Sequence, residues 1–268
     1  NGAFQVAQRL SYESSGKSQS SGDYIGIDMF KTRFNSSTVL LTQSTTAPAG
    51  FTASLKVDVT SADTSLASSV YNTIVGHIEG YDIASTSDAR TLTLSFYVRS
   101  NLTGTFTGSI GNAANNRSYA FDYTISSANT WERKSITFAG DSSGTWNKNQ
   151  DLGLKVTWSL GVGSSFLTGT TGAWQGAEHM GSTNGQNVVA NTSNEFYLTG
   201  VQLELGTVAT DFEHRSFCDE FRKCQRYYQK SRMYGEPVTE SGNSWNTTEA
   251  SINQSKRNEY YDTHVFWP

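Results

Sequence analysis

Apolar and polar residues alternate with a period of two along most of this chain. Phe51, Ala53, Leu55, Val57 and Val59 make one face apolar, while Lys56 and Asp58 point the other way. Leu92, Leu94, Phe96 and Val98 repeat the pattern against Thr91, Thr93, Ser95 and Arg99. Leu152, Leu154, Val156, Trp158 and Leu160 do so against Lys155, Thr157 and Ser159. Successive side chains of a strand point to opposite faces, so each run predicts a half-buried β-strand. Weaker runs predict strands at residues 24–30, 38–42, 104–110, 118–125 and 131–138, with Trp131 and Trp158 in the core. About ten strands separated by Gly, Ser and Asn turns make an all-β fold, an antiparallel jelly-roll β-sandwich with two sheets facing one core.

The pattern changes phase once. Phe196 and Leu198 are apolar at even positions, but Val201, Leu203 and Leu205 are apolar at odd ones. A one-residue slip turns a face outward, so a β-bulge at or near Gly200 is predicted to keep both halves buried. Two polar stretches interrupt the alternation. Residues 11–23 read as a surface loop, and 161–193 as a long loop carrying Trp174 and His179. Loops of that length are functional or mobile.

No ten-residue amphipathic pattern precedes residue 212. At 214–228, Phe217, Phe221, Cys224 and Tyr228 recur at helical spacing and predict one short α-helix. Residues 229–268 turn polar and then end in a run with the look of a strand starting, the beginning of a second β-unit. The expected organisation is a β-sandwich over 1–212, a helical connector over 213–230 and a second β-unit or C-terminal extension over 231–268. The first residue is Asn rather than Met, so a piece of a longer or processed protein is expected.

Composition agrees with the pattern. Hydrophobic content is 36% and charged content 16%, both below globular averages. Aromatics at 12% argue against disorder, which depletes them. The net charge is −4 and no Lys/Arg run is present, so nucleic acid is not expected as a partner, and with no apolar run of about 18 residues neither is membrane insertion by a helix. Cys218 and Cys224 stand six apart, which on one helix puts them on different faces, too far apart to bridge; both are expected as buried free thiols.

Catalytic motifs are missing. His77, His179, His214 and His264 show no metal-ligand spacing, and no Gly-x-Ser-x-Gly elbow occurs. Aromatics in polar surroundings are the better candidates for ligand contact. Trp and Tyr stack on the C–H faces of sugars while amides and charged groups bond the hydroxyls. Trp146, Trp174 and Tyr81 fit that description, with Gln175 and His179 beside Trp174. For Trp174 the alternatives are ligand stacking, pinning of its long loop, and an inter-subunit contact.

Several segments carry a resemblance, in order along the chain. These are Asn1-Gly2-Ala3-Phe4-Gln5-Val6-Ala7-Gln8-Arg9, Val75-Gly76-His77-Ile78-Glu79-Gly80 and Leu92 through Ser100. Gly172-Ala173-Trp174-Gln175 and Phe196 through Tyr228 follow. Together they resemble bacteriophage tail-fibre and related virion surface proteins; Asp211 departs, standing where that family often has Pro. The resemblance implies a jelly-roll domain similar to carbohydrate-binding modules, outside a virion and usually homotrimeric. It supplies no catalytic motif.

The expected function is therefore non-enzymatic binding of host surface glycans for adsorption, as a tail or head fibre. A purely structural virion component, decorating a capsid or joining fibre parts, is the alternative. Polysaccharide depolymerisation is a third, since some phage fibres cleave polysaccharide. That chemistry needs two carboxyls about 5–9 Å apart, and Asp58, Asp63, Glu79, Asp82, Asp122 and Glu178 are scattered candidates. No cofactor is expected beyond a structural Ca²⁺ of the kind such modules often hold between first and last strands, for which Asn1, Glu204 and Glu13 are the candidates.

Overall fold

A computed structural model describes residues 1–10, 16–20, 26–83, 90–230 and 234. Its strands, in chain order, are β1 (Lys17–Gln19), β2 (Phe30–Phe34), β3 (Thr38–Ser44), β4 (Ser54–Ser61), β5 (Tyr71–Glu79), β6 (Thr91–Ser100) and β7 (Gly104–Asn112). There follow β8 (Ser118–Ile125), β9 (Glu132–Ala139), β10 (Leu152–Val162), β11 (Leu167–Thr168), β12 (Trp174–Gln175), β13 (Gly181–Ser182) and β14 (Glu195–Leu205). One helix, α1 (Phe217–Gln225), comes last.

Two six-stranded sheets face each other. The first has the order β1-β3-β4-β14-β6-β9, the second β12-β8-β7-β10-β5-β2. Every pairing within them is antiparallel; β11 and β13 form a short parallel pair. The all-β sandwich is thus the architecture found, with jelly-roll strand crossing between sheets. The alternating apolar faces meet in one core, where Leu55, Val57, Leu94, Phe96, Phe196 and Leu198 of the first sheet oppose Ile74, Phe106, Ile110, Val156 and Trp158 of the second. Phe96 meets Trp158 edge-on at 5.5 Å. Each such side chain contributes about 1.5–3 kcal/mol by leaving water.

The bulge is present. Thr199 pairs with Tyr97 and Gln202 with Ser95, leaving Gly200 and Val201 opposite Phe96 alone. Gly200 has φ +61, a region open mainly to glycine. The Val201 N–H released from the ladder donates to the Gly2 carbonyl at 3.0 Å. Gly2 must be small there, because a Cβ would lie 2.1 Å from the Val201 oxygen. The bulge thereby docks the start of the chain. Beyond it Val201 and Leu203 still pack on the core, but Leu205 is exposed.

Several expectations are corrected. The strand expected at 24–30 begins at Phe30, because Ile27 to Phe30 close a turn in which Met29 takes φ 73. Within the loop expected at 11–23, β1 pairs with β3, and Gln19 reaches across to donate to the Thr32 carbonyl of the other sheet at 3.0 Å. Trp131 lies half-buried against Tyr197 on the outer face of the first sheet, outside the core. Cys224 is buried but Cys218 is exposed. On α1 the buried residues are Glu220 and Cys224, while Phe217 is exposed; Ser216 caps its start by accepting from the Asp219 N–H at 3.2 Å. The second β-unit expected over 231–268 lies outside the described residues except for Tyr234.

Candidate functional site

The outer face of the second sheet is built by register. His77, Lys155, Gly111 and Ser118 stand side by side across β5, β10, β7 and β8. The next row is Lys31, Val75, Thr157, Ser109 and Ala120; the third is Arg33, Thr73, Ser159, Thr107 and Asp122. These positions alternate with the core residues Ile74, Ile110, Val156 and Trp158, so they point away from the core.

The stretch 161–193, expected as a functional or mobile loop, is laid over part of this face. The Ser182 N–H donates to Thr107 Oγ1 at 2.7 Å, and Asn184 Nδ2 donates to Asp122 Oδ2 at 2.7 Å. Within the stretch Met180 is buried, and Val188 and Val189 join the core. That segment closes the third row at Ser159, Thr107 and Asp122, and leaves the first two rows as the floor of a cleft of about 370 Å³, inside the roughly 300–1,000 Å³ of ligand sites. Small side chains, Val75, Ser109, Gly111 and Thr157, make the floor. Lys31, Arg33 and Tyr71 stand along one side, and Asn115, Arg117, Glu178, His179 and Met180 along the other.

Among the described residues, four cations line this cleft against one carboxylate, Glu178. Lys155 Nζ lies 3.2 Å from Glu178 and also bonds Asn115. Arg117 is held by Asp141, and the Arg33 guanidinium lies 4.0 Å from the centre of the Tyr71 ring. Burial pushes His77 down to about 4, helped by Lys155, Lys31 and Arg33, so the imidazole is neutral at neutral pH. Burial also draws the Lys155 ammonium down, opposed by Glu178 and furthered by Arg33. His179 Nδ1 is buried without a protein hydrogen-bond partner.

Of the residues singled out in the sequence, His179 lines the cleft. Trp174 and Gln175 form β12, paired with Tyr119 and Ser118 at the cleft's flank. Trp174 donates its indole N–H to the Ala139 carbonyl at 2.7 Å and packs against Tyr119, Phe138 and Trp146. The two tryptophans meet edge-on, 5.4 Å apart, beside the loop that holds Arg117. Gln175 spends its amide on Thr168 and Thr170 of its own segment. Tyr81 is 60% exposed in the turn after β5 and does not line the cleft.

Lys31, Arg33, Arg117 and Lys155 escaped the sequence reading, which found no basic run. Their signal was faint: Lys31 and Arg33 sit two apart in a strand, hence on one face, and Lys155 is an outward position of a recognised strand.

Asn1 and Glu204 line one depression of about 290 Å³ beside the bulge. Asn1 Nδ2 donates to the Val6 and Asp28 carbonyls and its Oδ1 accepts from the Val6 N–H. Glu204 accepts from the Thr210 N–H and hydroxyl at 2.8 and 2.6 Å. Glu13 lies outside the described residues, among which no group of three or more His, Cys, Asp or Glu is placed to hold a metal ion.

The carboxylates considered for hydrolysis are dispersed. Glu178 meets Lys155, Asp122 serves Ser182 and Asn184, and Glu79 meets Arg226 and Tyr227. Asp58 and Glu195 face each other across β4 and β14, bridged by Lys56 at 2.7 and 2.9 Å, on the outer face of the other sheet.

No protein-family profile matches the chain, and neither does any curated protein. Solved structures of similar fold include a xylan-binding domain from Paenibacillus barcinonensis, at 14% identity over 66% of this chain and 92% of that one, TM-score 0.37. A family 11 carbohydrate-binding module from Clostridium thermocellum, in complex with a β-1,3-1,4-mixed-linked tetrasaccharide, matches at 12% identity over 72% and 100%, TM-score 0.37. The enzymatically active domain of bacteriophage CBA120 tailspike protein 4 matches at 13% identity over 62% of this chain and 18% of its own, TM-score 0.35.

Proposed function

We propose that this chain is a non-enzymatic glycan-binding domain of a virion surface fibre, on tail or head, that adsorbs a particle to sugars on the host cell. The supporting observation is the cleft across the outer face of the second sheet, whose small floor and polar walls suit an extended, hydroxyl-rich ligand. Its Ser109 and Thr157 hydroxyls, Asn115 amide and charged arms supply the directional bonds such a ligand needs. Trp146 and Trp174, at the Arg117 end, offer stacking surface to a glycan longer than the cleft. Affinity per site is low, and assembly as a homotrimer with many fibres per particle raises it by avidity. The ordered phage-fibre motifs of the sequence support the virion setting.

A glycan array on the purified chain tests the central claim. Binding to host surface glycans is expected, and Thr157→Tyr, which fills the floor with a good strand former, is expected to abolish it. Absence of binding, or binding indifferent to Thr157→Tyr, overturns the cleft as the site. Imaging labelled antibody on the particle tests the virion location.

A further inference from the structure

The cleft's charge runs against that of the molecule. The chain carries a net −4, yet Lys31, Arg33, Arg117 and Lys155 converge on one cleft whose lining, among the described residues, includes the carboxylate of Glu178, with Asp141 behind Arg117. We propose that the ligand is an acidic glycan, whose carboxylate or sulfate groups are held by Arg33, Lys31 and Lys155. This inference rests on the glycan-binding reading and names the class of sugar.

A neutral sugar needs hydroxyl partners and an apolar platform. Here the floor is made of small residues, Val75, Ser109, Gly111 and Thr157, and Tyr71, which lines the cleft with the imidazoles of His77 and His179, already lies beneath the Arg33 guanidinium at 4.0 Å. That stacking holds the guanidinium's plane and leaves its edge for a bidentate bond to a carboxylate or sulfate. The cations also repel one another. Arg33 and Lys31 both help keep His77 neutral, and Arg33 adds to the fall of Lys155. Repulsion of this kind is a standing cost that an arriving anion removes. Low-dielectric walls concentrate the cleft's field on an otherwise acidic protein.

The test uses matched probes: oligogalacturonate against its methyl ester, and a sulfated galactan oligosaccharide against its desulfated form. Calorimetry should show at least one acidic form binding roughly tenfold tighter than its neutral partner, the equivalent of one charge-assisted hydrogen bond. The uronate pair and the sulfate pair distinguish which acid the cleft takes. The preference should vanish in the Lys31→Gln/Arg33→Gln double variant, both residues being only half-buried, and fall as salt rises from about 50 to about 500 mM. Lys155→Gln is a second variant with the same expected loss, and thermal melts confirm folding of each.

If neutral forms bind as well as acidic ones while Thr157→Tyr abolishes both, the anion inference falls and the glycan-binding reading stands. If no oligosaccharide of either kind binds, the anion inference falls, and the glycan array decides the glycan-binding reading separately. If a short DNA duplex competes as strongly as the acidic sugar, the cleft is a general polyanion surface and the inference falls.

Discussion

His77 is the residue whose chemistry most depends on its place. In an unfolded chain its imidazole has the ordinary value of 6.5; in the fold, burial first, then Lys155, Lys31 and Arg33, push it down to about 4. The unfolded state therefore binds more protons in between, and stability rises with pH across that window. Its share of stability is intact above pH 6.5, is lost as pH falls from there, and is fully lost below about 4. The expected slope is about 1.4 kcal/mol per pH unit. Asp28 acts in the opposite sense, since burial raises its carboxyl above 3.8 despite its bond to Gln8. Urea unfolding of the wild type and His77→Gln at several pH values isolates the histidine: the variant should lack this limb between pH 6.5 and 4. An unchanged limb would assign the acid sensitivity elsewhere.

Among the elements, β14 shows what a bulge costs and supplies. An alanine at Gly200 combines a left-handed φ of +61 with a Cβ only 2.7 Å from Tyr97 Cδ2 and 2.9 Å from Phe51 Cζ. Gly206, six residues on, also has a positive φ, +122, but its Cβ would meet nothing within 4 Å. Gly200→Ala should therefore destabilise by about 2 kcal/mol or more, and Gly206→Ala by clearly less, in chemical denaturation. Equal losses would mean that backbone conformation alone matters there. The bulge was legible in the sequence because a phase switch is a local property of one strand. The same holds for β4, β6, β8 and β10. The cleft was not legible, because its neighbours are cross-strand: Thr157 lies between Val75 and Ser109, and Lys155 beside His77. Sheet order decides those pairs, and alternation within a strand carries no information about sheet order. For the same reason 161–193 read as a long loop, functional or mobile. Its anchors, Thr107, Ser118 and Asp122, lie on strands far back in the chain.

At the scale of the molecule, the open matter is whether α1 belongs to the sandwich or merely follows it. The sequence suggested a connector over 213–230. Yet Gln8 donates to the Tyr228 carbonyl at 2.9 Å, and the Arg9 guanidinium lies 3.4 Å from the centre of the Tyr228 ring. The N-terminal segment making those contacts is itself fixed to the bulge through Gly2 and Val201. A chain of short contacts thus runs from the core strand β14, through residues 1–9, to the helix. Cys224 reports on its far end, because it is 1% exposed and burial pushes its thiol up to about 12. With Cys218→Ser removing the exposed thiol, brief pulses of a maleimide along a urea titration measure exposure of Cys224, while far-ultraviolet circular dichroism follows the sheets of the sandwich. Coincident midpoints are expected, as for one cooperative unit. Labelling at lower urea than the core transition would show a helix that undocks on its own, and the boundary at 212 would then be a physical one. Coincidence instead extends the folded unit to the end of α1 and makes the first nine residues part of what holds it there.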